Sequence, residues 1–284
     1  VIRNILIMVH PTRKDAAEFA AKLPKPLNDA GFSVFTNREG SVPGAKISTG
    51  SEDFEVALVL GGDGTILRGA EFLRGQSVPI LGINMGSVGF LAEVINPHLD
   101  SLIEALVKKN YSSEPRLVLK YHIERESKLV DSGWALNEVT IVRTNTQMVE
   151  LFVQIDNRPL SRWGCDGVIC ATPTGSTAYA FSAGGPVLWP EVDAIVLLPL
   201  AAHALFSKPM VISPNSTVAI DVESASAEIS ADGMRKFDLR MGDRILISRD
   251  PEKVLLSHID ESVFTDRLVA KFQLPIEGWR GERA

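Results

Sequence analysis

The segment Val56-Ala57-Leu58-Val59-Leu60-Gly61-Gly62-Asp63-Gly64-Thr65 restricts the fold more than any other stretch of this chain. Five apolar residues run straight into a turn whose only charged group is Asp63. A run this short, closed by glycines, reads as a strand buried on both faces of a parallel sheet. The glycines allow a sharp turn and let a ligand approach the backbone where a Cβ would intrude. Residues 66–74 read as a short helix that turns Ile66, Ala70 and Leu73 inward. A carboxylate at a strand end, beside a helix N-terminus, suits phosphate binding with a metal and the chemistry that goes with it. It equally suits a plain strand-to-helix turn capped by Asp63, and this segment alone leaves both readings open.

With 284 residues, 45% of them hydrophobic and 23% charged, the chain has material for one large domain or two ordinary ones. The net charge of −6 argues against a broad nucleic-acid footprint. An anionic ligand would therefore be met by local glycine loops, helix ends, a metal or a few arginines. Cys165 and Cys170 give neither a disulfide framework nor a zinc spacing, and they read as small buried residues of a reduced protein. No segment approaches the ~18 consecutive apolar residues of a membrane span. The opening Val1-Ile2-Arg3-Asn4 lacks a signal-peptide pattern, although the missing initiator Met suggests trimming. The expectation is a soluble cytoplasmic protein with neither nucleic acid nor membrane as partner.

The first ~110 residues alternate apolar runs with helical patterns, as β-α-β units do. Ile5-Leu6-Ile7-Met8-Val9 reads as a buried strand. Ala16, Phe19, Ala20, Leu23 and Leu27 then recur at helical spacing up to Gly31, and Phe32-Ser33-Val34-Phe35 is the next strand. Residues 36–53 are polar and glycine-rich and read as a loop or mobile flap. Val78-Pro79-Ile80-Leu81-Gly82-Ile83 leads into a second glycine-rich exit, Asn84-Met85-Gly86-Ser87-Val88-Gly89-Phe90-Leu91. Such exits lie where open parallel sheets bind ligands. Leu99, Leu102, Ile103 and Leu106 mark a helix ending near Asn110. From about Arg116 short strand-like stretches alternate with turn signals such as Asp156-Asn157, Asp232-Gly233 and Gly242-Asp243, so this half should be mostly β until the tail.

Neither a Gly-x-x-x-x-Gly-Lys-[Ser/Thr] phosphate loop nor a Gly-x-Gly-x-x-Gly fingerprint occurs, so any nucleotide is held by other means. After the opening motif, residues 165–186 carry the densest chemistry. There an apolar strand feeds a loop with the hydroxyls of Thr172, Thr174, Ser176 and Thr177. Hydroxyls both donate and accept, as reading a base or sugar edge requires. Tyr179 could lay its ring on a planar base, and Asp166 could accept from a carboxamide or ribose hydroxyl. The bland alternative is a hydroxyl-rich turn capping a helix near Thr177, but a cap needs one such residue rather than four. Asn137-Glu138 interrupts the apolar stretch 134–141; adjacent strand residues face opposite ways, so one of the pair turns inward unless the strand is bulged or ending. A buried glutamate needs partners, which suits a ligand site, whereas a strand-end asparagine with an exposed glutamate needs none. His10 and His203 lack a serine or carboxylate at a telling spacing and read as structural. Asp232-Gly233 reads as a hairpin turn that could lie near the ligand.

Gly61-Gly62-Asp63-Gly64-Thr65, Asn137-Glu138 and the stretch from Asp166-Gly167 to Pro186 occur in the order and spacing of NAD kinases. The ending Phe264-Thr265-Asp266-Arg267-Leu268-Val269-Ala270-Lys271-Phe272-Gln273-Leu274-Pro275 is similar to bacterial members, particularly actinobacterial ones. The resemblance covers almost the whole chain. Gly-Gly-Asp-Gly is shared with lipid kinases and phosphofructokinase-like enzymes; the Thr172–Tyr179 block is far more specific. The resemblance implies phosphorylation of the adenosine 2′-hydroxyl of NAD by ATP or inorganic polyphosphate, giving NADP, with a divalent metal, usually magnesium. It implies a Rossmann-like parallel-sheet N-terminal domain over 1–115, completed by the tail 260–284, and a β-sandwich-like NAD-binding domain over 116–259. Such enzymes work as homodimers or homotetramers.

By the same resemblance Asp63 matches the proton acceptor, and Gly64 lies beside the same ribose. Gly61, Gly62, Gly64 and Thr65 form the phosphate-donor loop, and Arg68 is a basic position near the nucleotide. Asn137 resembles an adenine-binding residue, Glu138 a ribose-binding one, and Asp166 the residue that meets the nicotinamide end. Thr174, Thr177, Ala178, Tyr179, Ala180, Phe181 and Ser182 match the NAD-binding wall. The loop 142–147 looks about one residue shorter than usual, a basic position near its end reads Gln147, and Met234 stands where some members carry a polar residue. Two other classes remain at this stage: a lipid or sugar kinase of the same superfamily, and a non-enzymatic NAD(P)-binding sensor.

Overall fold

The computed structural model describes residues 3–37, 42–86, 89–92, 94–95, 97–224, 226–259 and 263–276. Residues 38–41 of the polar loop, Ser87 and Val88 of the second glycine exit, and the tail at 260–262 and beyond 276 lie outside the described residues. The chain divides into two compact units, Val1–Pro115 with Val254–Ala284, and Arg116–Lys253.

The first unit begins with β1 (Arg3–Val9), α1 (Lys14–Ala20), α2 (Pro24–Asp29), β2 (Phe32–Thr36), β3 (Lys46–Ile47) and β4 (Val56–Leu60). It continues with α3 (Asp63–Phe72), β5 (Ile80–Asn84), β6 (Val94–Ile95), α4 (Leu99–Lys108) and β7 (Ser112–Arg116). All five residues of β4 are fully buried, as the uninterrupted apolar run requires of a strand covered on both faces. Strands β3, β2, β1, β4 and β5 lie side by side in that order and pair in parallel. The order reverses between β1 and β4, which puts the turn at Gly61–Gly64 at the carboxyl side of a topological switch point.

The apolar spacing from Ala16 to Leu27 predicts one helix, but the chain makes two, broken at 21–23. Pro24 and Pro26 supply the reason: a proline has no N–H for a preceding carbonyl, yet is tolerated in the first turn of a new helix. Ala16, Phe19, Leu23 and Leu27 still pack into one core with β1, β2 and β4.

The second unit runs β8 (Leu119–Arg125), β9 (Lys128–Ala135), β10 (Glu138–Arg143), β11 (Val149–Ile155), β12 (Arg158–Cys165) and β13 (Gly167–Ala171). After a 3₁₀ turn at Thr174–Thr177 come α5 (Tyr179–Ser182), β14 (Ile195–Leu200), β15 (Met210–Ile212), β16 (Val218–Val222), β17 (Ser226–Ala231), β18 (Arg235–Arg240) and β19 (Arg244–Arg249). These strands form two six-stranded antiparallel sheets, β12-β11-β16-β19-β8-β9 and β15-β14-β13-β10-β17-β18. Alternating apolar residues of both sheets share one core, including Tyr121, Ile141, Leu151, Val168, Ile220 and Ile229, which is the packing of a β-sandwich. Cys165 and Cys170 are buried free thiols in it. The turns at Asp156-Asn157 and Asp232-Gly233 both have two positive φ values, the geometry that tight hairpins favour.

One expectation needs correction. Residues 134–141 read as a single interrupted strand, but the chain leaves one sheet at Ala135 and enters the other at Glu138. The break falls at Leu136-Asn137, whose N–H groups bond to a side chain instead of a strand.

The return strand β20 (Val254–His258) pairs in parallel with β5 and lies between it and β7; α6 (Phe264–Phe272) follows. Within this unit Gly82 of β5 faces the chain just beyond the second glycine exit. A Cβ on Gly82 would come 2.5 Å from Ile66 Cδ1, 3.0 Å from Ala92 Cα and 3.1 Å from Leu91 O. Two of those atoms are backbone and cannot swing aside. Gly82→Ala should therefore cost about 1–3 kcal/mol of stability by overpacking, read as a lower urea midpoint with an unchanged slope.

Candidate functional site

Asp63 is the first residue of α3, and Gly62 before it is the N-cap in extended conformation. A negative charge is favoured there, where first-turn N–H groups lack intrahelical acceptors. The Phe90 N–H donates to Asp63 Oδ2 and the Leu91 N–H to Oδ1, both at 3.1 Å. The carboxylate is thus held by a segment 27 and 28 residues downstream. A Cβ on Gly89 would overlap Asp63 Oδ1, so only glycine lets this segment come so close. Around Gly62 and Gly64 an added Cβ would meet nothing within 4 Å, so this backbone faces open space. Thr65 is different: its Oγ1 is buried beneath Gly61, with no partner among the described residues. Arg68 is exposed. The sequence reading found the turn and missed Gly89, Phe90 and Leu91 as the partners of its carboxylate.

The second unit builds its group of residues around Asp232, whose side chain is fully buried at the β17–β18 turn. Its carboxylate accepts the N–H groups of Leu136 at 2.9 Å, Asn137 at 2.7 Å and Glu138 at 3.3 Å. Arg235 Nη2 lies 2.7 Å from Asp232 Oδ2. The same guanidinium donates from Nε to Trp134 O at 3.0 Å and stacks 4.4 Å from the Trp134 ring centroid. Hydrogen-bonded amides and a paired cation are what a buried carboxylate needs. The Asp232-Gly233 hairpin turn is present, yet its carboxylate is what shapes the Asn137-Glu138 pair. An Asp-Gly with an arginine two residues on was the sole signal in the chain, and many plain hairpins carry as much.

Glu138 is buried, and its carboxyl is pushed up to about 7, first by burial and then by the Asp232 charge, with the Tyr179 N–H opposing. Burial also leaves Asp232 raised, a rise that three amides and Arg235 oppose without cancelling. Of the two, Asp232 is the one equipped to keep the charge, and Glu138 the one that holds a proton near neutrality.

The hydroxyl-rich block closes against this pair. Thr172 Oγ1 donates to Leu136 O at 2.5 Å and accepts from Gly175 N–H, and Thr172 N–H donates to Asn137 O. A Cβ on Gly175 would overlap the Asn137 backbone. Ser176 Oγ donates to Pro173 O at 2.6 Å, and Thr177 Oγ1 donates to Thr174 O at 3.2 Å. The expectation that four hydroxyls serve a ligand is thereby reduced, because Thr172, Ser176 and Thr177 fold the loop itself. Tyr179 and Phe181 remain 45% and 39% exposed and offer their rings to solvent; Ala180 is buried, Ser182 exposed and Ala178 half-buried. Asp166 stands apart at the other end of β13, about 17 Å away for five residues of strand, and pairs with Arg143 at 2.6 Å. Gln147 donates its N–H to Asn145 within its own loop. His10 bonds within its own turn, and the His203 backbone pairs with Gly164.

Because Glu138 is raised from 4.5 to about 7, the folded state binds its proton more tightly than the unfolded chain does. Its contribution to stability is complete below the unfolded value and is lost as pH rises through about 7. Glu138→Gln should abolish that loss. Relative to the variant, the wild-type unfolding free energy should fall by about 3 kcal/mol between roughly pH 4 and pH 8, followed by urea titration.

A family model described as ATP-NAD kinase N-terminal domain matches residues 44–111, and one described as ATP-NAD kinase C-terminal domain matches 136–259. The chain is 42% identical to a NAD kinase of Rhodococcus erythropolis, covering 99% of this chain and 97% of that one. It is 48% identical to NAD kinase 2 of Streptomyces avermitilis, over 80% of this chain and 76% of that one. Among solved structures, an Archaeoglobus fulgidus NAD kinase in complex with ATP superposes with a TM-score of 0.73 at 27% identity, covering 95% and 98% of the two chains. Yeast NADH kinase complexed with NADH shares the fold at a TM-score of 0.86 and 23% identity, covering 100% of this chain and 89% of that one. The two family models between them match most of the chain, and a relative 42% identical is covered over 97% of its length, so this chain of a parallel sheet followed by a β-sandwich belongs to the NAD kinase family.

Proposed function

We propose that Asp63 is the residue through which this NAD kinase phosphorylates NAD to NADP. The reaction is in-line transfer of the γ-phosphoryl group of ATP to the adenosine 2′-hydroxyl. The 2′-oxygen bonds to phosphorus as the bond to the ADP oxygen breaks, and Asp63 takes the hydroxyl proton or orients it. One observation carries the assignment: the Asp63 carboxylate is fixed at the switch point by two N–H groups, beside backbone that opens to solvent at Gly62 and Gly64. A carboxylate offers about four lone-pair positions. Two are used by Phe90 and Leu91, which leaves capacity for a hydroxyl proton.

Gly62 and Gly64 would offer the donor phosphates N–H groups at the start of α3, Gly61, whose own N–H donates to Ile83 O, would shape the loop, and Arg68 would be a nearby cation. Asn137 would meet the adenine, and the protonated Glu138 would give or accept a hydrogen bond at the ribose. Thr174, Thr177, Ala178, Tyr179, Ala180, Phe181 and Ser182 would form the wall, with the Tyr179 and Phe181 rings against the dinucleotide. Asp166 would serve the nicotinamide end. Among the described residues no group of three His, Cys, Asp or Glu side chains could hold a metal. A divalent ion, magnesium in this proposal, would come with the ATP phosphates, and no protein ligand is assigned to it. Inorganic polyphosphate as alternative donor, a homodimer or homotetramer, and a cytoplasmic setting complete the proposal. No helix among the described residues is long and apolar enough to cross a membrane.

A lipid or sugar kinase would not need the exposed rings of Tyr179 and Phe181, and a sensor would not need a held Asp63. Asp63→Asn should keep NAD binding and lose about 10²-fold or more in turnover, followed as NADP with an NADP-specific dehydrogenase. Turnover near that of the wild type would remove Asp63 from the chemistry. Running ATP and polyphosphate side by side in the same assay settles the donor.

A further inference from the structure

The Phe90 and Leu91 N–H groups can hold Asp63 only while their own segment stays in place. Its floor is Gly82 of β5 with Ile66 of α3, against which the Leu91-Ala92 backbone lies. Its roof is the C-terminal helix. The Phe90 ring is flanked by Phe264 at 5.9 Å and by Phe272 at 5.7 Å between centroids. Between these two on α6, the buried Arg267 donates from Nη1 to Phe90 O at 3.2 Å. Residues spaced three and eight along a helix share one face at 3.6 residues per turn. Phe264, Arg267 and Phe272 are therefore a single surface, and part of what it grips is Phe90.

The Phe90-Leu91 peptide unit is thus held at both ends, its carbonyl by Arg267 and its N–H by Asp63, and the Phe90 N–H before it is held by Asp63 as well. Burying a guanidinium is costly unless its N–H groups find acceptors, so the bond to Phe90 O has an energetic reason to persist. The helix is suited to stay in place. It has Asp266 in its first turn and Lys271 in its last, and it ends at Gln273 in the left-handed conformation.

We infer that α6 is a positioning element for Asp63, acting through Arg267 and the Phe264–Phe272 pair on Phe90, although none of the three residues touches Asp63. The inference rests on the assignment of Asp63 above. Loss of the Arg267 donor lets the Phe90-Leu91 amides drift, and the carboxylate drifts with them relative to the hydroxyl it serves. Displacement of a reacting group is felt in turnover more than in the binding of NAD.

Arg267→Met keeps length and apolar bulk but removes the donor, and Arg267→Lys retains one. Arg267→Met should lower kcat roughly ten- to hundredfold with the KM for NAD within about twofold, and Arg267→Lys should recover part of the loss. In an Asp63→Asn background the same substitution should add no further loss, because both changes act on one device. Hydrogen exchange at the Phe90 and Leu91 amides should quicken in Arg267→Met, a readout independent of turnover. Unchanged exchange, or full additivity in the double variant, overturns the inference. If Arg267→Met does not fold, Phe272→Leu takes its place in the same cycle. The two ideas fail differently: an active Asp63→Asn removes the catalytic assignment, whereas an inactive Asp63→Asn beside a fully active Arg267→Met removes only the role of α6.

Discussion

The buried Asp232 carboxylate is the interaction on which the Asn137-Glu138 pair and the Thr172–Tyr179 block of the second unit depend. Between Ala135 and Glu138 the chain passes from one sheet to the other, and a strand ladder cannot serve the amides on the way. Asp232 accepts three of them from across the sandwich edge, a reach of 94 to 96 residues in sequence. What those amides hold then holds the rest. Leu136 O and Asn137 O receive Thr172, Gly175 presses on the Asn137 backbone, and the loop beyond carries Tyr179. One charge therefore orders three segments. It also bears on the raised Glu138 carboxyl, since a second negative charge beside Asp232 in the same buried place would have one amide, that of Tyr179, where Asp232 has three and a cation.

Asp63 uses the same chemistry to a different end. It too collects backbone N–H groups from a distant segment, but two rather than three, and no cation is paired with it among the described residues. It is half-buried, where the Asp232 side chain has no exposure at all. A carboxylate saturated by donors is a structural anchor; one that is oriented and still has lone pairs free can accept a proton. The number of donors, more than the residue type, separates the anchor at Asp232 from the role proposed for Asp63.

Much of the fold was legible from the sequence, because burial on two faces leaves an apolar run and burial on one face leaves an alternation. The run at Val56–Leu60 and the alternation in the second half both appear as strands where those patterns place them. The turn at Asp63 was legible because it joins adjacent elements. Legibility ended where a residue's role depends on a partner far along the chain. The break at Leu136-Asn137 is invisible without Asp232, and the hydroxyls of Thr172, Ser176 and Thr177 looked available because the carbonyls that receive them cannot be seen in a one-dimensional pattern. The break before Pro24 is the opposite case. The proline was in plain view, but apolar spacing that runs through Leu23 and Leu27 masked it, since both residues reach the same core from two short helices.

The path of the chain ties these observations together. The parallel sheet is left at β7 and is finished only when β20 comes back to pair with β5, after the whole second unit has been traversed. Helix α6 follows β20, so the surface that grips Phe90 is the last described element to be added. Residues 1–115 contain Asp63, its turn and the amides that hold it, yet not the roof over those amides. Closing the sheet with a distant strand costs loop entropy that grows only slowly with the length of the excursion, so an inserted sandwich adds little to that cost. The arrangement makes the orientation of Asp63 conditional on the return of the tail: the carboxylate at the switch point is placed by local sequence and steadied by residues that arrive from the far end of the chain.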